Sequence, residues 1–89
     1  MCTHTTETLP VTGSAKSGGS WLRVTDATVY FDHPVHTSAG HTLNIDLRRP
    51  ADGPAARVGI ELTAESARAL AESILSVLGA VPEDVLAEG

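Results

Sequence analysis

His41-Thr42-Leu43-Asn44-Ile45-Asp46-Leu47-Arg48 alternates apolar and polar side chains without a break. A period of two is that of a strand with one face on a core and the other in water. His41, Leu43, Ile45 and Leu47 share one side; Thr42, Asn44, Asp46 and Arg48 share the other. With this segment placed as a half-buried strand, its neighbours fall into order around it. Downstream, Arg49-Pro50-Ala51-Asp52-Gly53-Pro54 reads as a turn. Ala56, Val58, Ile60 and Leu62 then alternate with Arg57, Gly59 and Glu61 as a further strand. Thr63 suits a helix N-cap, and Glu65 falls in the first turn, where the helix dipole favours a negative charge. Ala67, Leu70, Ala71, Ile74, Val77 and Leu78 recur at three- and four-residue steps and form one apolar stripe. Gly79 fits the position just past the helix end. Glu83 to Gly89 reads as an acidic tail or a short helical turn after Pro82.

Upstream, Trp21 to Asp32 is a strand with a fault. Leu22 and Val24 share one parity, whereas Ala27, Val29 and Phe31 share the other. Such a change of face requires a β-bulge, placed near Thr25–Asp26. Cys2 to Thr12 is rich in threonine, whose branched Cβ suits a pleated surface, so it reads as a first strand, and Pro10 suggests an edge position or a strand end. Gly13 to Ser20, small and glycine-rich, reads as a flexible loop or a wide turn. The expected fold is α+β: a four-stranded antiparallel meander sheet followed by one C-terminal amphipathic helix, ββββα. The domain spans residues 1–80, with residues 81–89 as an acidic tail.

The chain has 89 residues, of which 42% are hydrophobic, 19% charged and only 3% aromatic. So short a chain hides only about 60% of its unfolded surface. One helix cannot cover four strands, so the remaining apolar surface is expected to be buried in a homodimer. No apolar run approaches the roughly 18 residues of a membrane span, and no signal peptide pattern opens the chain. The net charge of −5 argues against a nucleic-acid surface, and the single cysteine against a disulfide framework.

Three of the four histidines, His33, His36 and His41, lie within nine positions. Pairing 29 with 45, 31 with 43 and 33 with 41 keeps the apolar sides of the two strands together. His33 and His41 then sit side by side at the mouth of a hairpin, with His36 in the connection. Three converging imidazoles can bind one divalent transition metal and leave a coordination position open. Cys2 and His4 share a parity on the first strand, and either could complete the shell; a thiolate would favour zinc, copper or iron. Against this stands the plain reading of exposed histidines at strand ends. The leading expectation is a small metal-binding protein, with the option of a metalloenzyme acting on a small molecule. The alternative is a non-catalytic homodimeric module binding a small ligand or a protein partner. A third option is a pH sensor, since histidine titrates at about pH 6–7.

Other candidates are weaker. Asp32 points away from His33 and is offered only as a partner for loop groups. Asp46 and Glu61 read as surface charges, and Trp21 and Tyr30 as packing residues. Ser14, Ser17 and Ser20 lack a nucleophile-elbow pattern, and Gly13, Gly18 and Gly19 lack the ending of a phosphate loop.

Met1-Cys2-Thr3, Gly13-Ser14-Ala15-Lys16 ahead of Trp21, and Tyr30-Phe31-Asp32-His33-Pro34-Val35-His36 together carry a resemblance. His41 to Asp46 and Ser66 to Leu70 extend it. Over about residues 1–80 the chain resembles a family of short actinobacterial proteins of unknown function. The resemblance implies a bacterial, cytoplasmic, stand-alone domain and supplies no activity.

Overall fold

The computed structural model describes residues 5–33 and 40–89. Strands β1 (Thr6–Ser17), β2 (Ser20–Asp32), β3 (Thr42–Arg48) and β4 (Arg57–Leu62) form one antiparallel sheet in that order. Helix α1 (Ala64–Ala80) follows, then the single turn α2 (Glu83–Leu86). The α+β meander with a C-terminal helix is therefore the architecture the chain adopts.

Register follows apolar parity. Phe31 lies opposite Leu43, and Val29 opposite Ile45. On the far side of β3, Leu43 lies opposite Leu62 and Ile45 opposite Ile60. Two apolar rows thus cross three strands on the face beneath α1. The reverse face carries Tyr30, Asn44 and Glu61 in one row and Thr28, Asp46 and Gly59 in the next. β1 is an edge strand, as Pro10 requires.

Three local expectations need correction. The glycine-rich segment is not a wide loop: β1 runs on to Ser17, and only Gly18 and Gly19 turn the chain. Both have positive φ, 58° and 84°, which a two-residue hairpin turn demands and glycine supplies without strain. The bulge lies at the expected level but on the other strand. Pairing jumps from Pro10↔Asp26 to Gly13↔Val24, so Val11 and Thr12 together oppose Thr25. β2 itself keeps alternating, which leaves Val24 and Ala27, each 5% exposed, on opposite faces. Gly79 does not end the helix; α1 continues through it, and Val81, in extended backbone before Pro82, closes it.

Thr63 caps α1 as expected, its Oγ1 accepting from the Ser66 N–H at 3.2 Å. α1 touches β3 and β4, yet none of its residues is buried. Among the described residues the buried polar side chains are Thr42 and Asn44, on the face away from α1.

Candidate functional site

Where β2 and β3 part, the face beneath α1 ends in a column of rings. The Phe31 and His41 rings stack with centroids 5.7 Å apart, and His41 stacks on His33 at 4.5 Å. The expected juxtaposition of His33 and His41 is thus present. The Gly40 carbonyl oxygen lies 3.0 Å from His33 Nδ1. A carbonyl only accepts, so in the neutral ring Nδ1 carries the proton and the Nε2 lone pair is left for a ligand. Asp32 works through the backbone: its Oδ1 accepts from the His33 N–H at 2.7 Å and fixes the strand end.

This pair is a stack and not a chelate. A ligating imidazole holds its ion in the ring plane, at about 2.0–2.1 Å for zinc. Planes inclined by 29° with centroids 4.5 Å apart intersect well beyond that bond length. Joint ligation therefore requires one ring to turn about its side-chain torsions. His36, Cys2 and His4 lie outside the described residues. Among the described residues no three His, Cys, Asp or Glu side chains gather as a metal group.

Next to the ring column lies a cleft of about 690 Å³ between α1 and the sheet. Val29, Phe31, Leu43, Ile45 and Leu62 form its floor, and Ala67, Leu70, Ala71 and Ile74 its roof. Arg68 is the charged side chain in the lining. Phe31 belongs to both the cleft and the ring column, so the imidazoles stand at the end of an apolar trough. The cleft exists because α1 leaves β4 after a single capping residue and makes little contact with the sheet.

The opposite face holds a polar network that sequence reasoning missed. Asp46, read as a surface charge, has a side chain only 16% exposed and lies 3.5 Å from Arg57 Nη2. The Tyr30 hydroxyl donates to Asp46 Oδ2 at 3.4 Å. Burial first, and then the Asp46 carboxylate, raise the Tyr30 phenol above its ordinary range. Thr42 donates to Asn44 Oδ1 at 2.7 Å, and Arg48 Nη2 to Thr28 Oγ1 at 3.2 Å. The available signal was position: these polar residues stand on central strands, flanked by neighbours on both sides. Trp21, expected to pack, is 68% exposed beside the hairpin tip. No helix among the described residues is long and apolar enough to cross a membrane.

The sequence from residue 1 to 87 matches a family described as of unknown function (DUF6295), and the chain belongs to that family. No curated protein and no solved structure gives a match.

Proposed function

With membership of that family as the premise, we propose that the protein is a non-catalytic binding module for a small, largely apolar molecule with a polar or anionic end. The supporting observation is the trough itself: its lining is apolar but for Arg68, and its end is marked by Phe31, His41 and His33. Its volume is within the roughly 300–1,000 Å³ usual for small-ligand sites, where few polar groups set orientation. The apolar body of the ligand lies along Val29, Ile45 and Leu62. Its polar end meets the His33 Nε2 or the Arg68 guanidinium.

A titration with the apolar anion 1-anilinonaphthalene-8-sulfonate, followed by amide chemical shifts, tests this. Shifts centred on Val29, Phe31, Leu43 and Ile45, abolished by Ile45→Gln, support the reading. No saturable binding, or shifts confined to the β1–β2 hairpin, overturns it.

The His33–Gly40 hydrogen bond favours a second reading. An imidazole whose Nδ1–H is held by a backbone carbonyl is oriented as ligating histidines usually are. In that reading His33 and His41, after one ring turns, hold a zinc, copper or iron ion, and His36, Cys2 or His4 completes the shell. The metal would act as a Lewis acid, a redox centre or an activator of water on a small substrate. Metal analysis of untagged protein tests it: stoichiometric metal lost in His33→Ala and in His41→Ala supports it, and no metal after loading refutes it. A cytoplasmic, actinobacterial setting belongs to the same proposal, supported by the family resemblance and by a lone cysteine with no partner in the chain for a disulfide.

A further inference from the structure

Helix α1 carries an apolar stripe that its own sheet leaves open. Leu70 is 44% exposed, Ile74 52%, Val77 65% and Leu78 49%. In a surface helix such a stripe is the part that faces the core. The outer part of the stripe is grooved. Ser73, Ile74, Val77 and Leu78 line an apolar depression of about 330 Å³, between the ridge of Ile74 and Leu78 and the ridge of Ser73 and Val77. Such a groove between rows four residues apart is what receives the matching ridge of another helix.

We infer that a second copy of this chain covers α1, two α1 helices packing antiparallel about a two-fold axis between Ile74 and Val77. The area requirement favours a second copy. The chain exposes 6495 Å², whereas a compact 9.2 kDa monomer exposes about 4,900 Å². The radius of gyration, 14.7 Å, exceeds the about 12 Å expected for this length. The excess of about 1,600 Å² is that of the whole chain; the exposed stripe of α1 is a part of it, and a standard two-fold contact needs only about 800 Å² from each partner.

The stripe is also self-complementary, as a two-fold interface requires. With the axis between Ile74 and Val77, Ile74 of one helix meets Val77 of the other. Ser73 then meets Leu78, and Leu70 faces the end of the partner helix. Small Ser73 opposite larger Leu78 lets the helices approach closely, and no charge stands at any of these positions. Leu70 and Ile74 also roof the cleft, so the dimer face shares two residues with the proposed ligand site; Val77, which does not line the cleft, separates the two tests.

Sedimentation equilibrium of the full chain at 1–50 μM tests it, those concentrations being about where a stable dimer holds together. The expected mass is twice that of the chain. Val77→Lys, at a site open to solvent in the single chain, should weaken association at least about a hundredfold while far-UV circular dichroism is unchanged. Should that variant unfold, a cross-link decides instead. In a Cys2→Ser background, Ile74→Cys chains mixed with Val77→Cys chains should form a disulfide-linked dimer under mild oxidation, and Trp21→Cys chains should not. A monomeric wild type across this range overturns the inference. So does a dimer that survives Val77→Lys, or equal cross-linking of the Trp21→Cys chains.

Discussion

Thr42→Val is the most revealing single change to the sheet. The substitution keeps the branched Cβ that suits β3 and removes one hydroxyl. Thr42 is 0% exposed, and its Oγ1 donates to Asn44 Oδ1 at 2.7 Å. The variant strips a donor from an acceptor on a residue that is itself only 5% exposed. Leaving a buried acceptor unmet costs about 1–3 kcal/mol, more than the net worth of the bond, because the desolvation of the stranded group is no longer offset. In a chain of this length that is a fall in Tm of roughly 4–8 °C per kcal/mol. A companion change separates this cost from lost packing. Asn44→Val in the Thr42→Val background removes the acceptor too, so the double variant should be less destabilised than the sum of the two singles by about 1 kcal/mol or more. Urea unfolding followed by far-UV circular dichroism gives all four stabilities, at one fixed protein concentration because association adds a concentration term. A Thr42→Val loss below about 0.5 kcal/mol, or strict additivity, would refute the argument that this pair is a buried, mutually dependent unit.

Thr63→Ala removes the acceptor for the Ser66 N–H and should cost about 1 kcal/mol, read as a lower thermal midpoint with no change in fold. The Tyr30 phenol, raised by burial and by Asp46, should deprotonate later than a free tyrosine in an ultraviolet titration. Because its folded pKa lies above the unfolded value, the folded state keeps the proton longer. That contribution to stability is complete below about pH 10 and is lost as pH rises through the folded pKa; Tyr30→Phe should abolish this alkaline loss. For His33, nitrogen-15 spectra above neutral pH should show the proton on Nδ1, where the Gly40 carbonyl holds it. A ring protonated mainly on Nε2 would contradict that assignment.

Most of the fold was legible because its signals are local and periodic. The alternation of His41 to Arg48 and of Ala56 to Leu62, with the stripe of α1, needs no tertiary information. The β2–β3 register was legible too, since pairing 29 with 45 and 31 with 43 keeps Val29 and Phe31 on the side of Leu43 and Ile45. The bulge was read at the right level but on the wrong strand, because parity within β2 does not say which partner holds the extra residue. The glycine-rich segment misled by composition: Gly18-Gly19 turns the chain, while Gly13 to Ser17 simply extends β1. At the candidate site, clustering placed His33 beside His41, but spacing is silent on ring orientation, which decides between a stack and a chelate. The cleft was invisible in the sequence, since an apolar stripe predicts contact with a sheet and not the gap left when a helix stands off it. Asp46 was misread because charge type says nothing of being on a central strand beneath Tyr30 and Arg57.

Trp21, the one indole of the chain, stands in solvent beside the hairpin tip. Its emission in the native protein will resemble that of the denatured chain, so it is nearly blind to events in the core. The same placement makes it a quiet background for one kind of event. Anything that settles on the end of the β1–β2 hairpin must take that ring out of water, and the emission will shift to the blue. A fluorimeter and the unlabelled protein are therefore enough to screen for partners at the end of β2 away from His33 and His41.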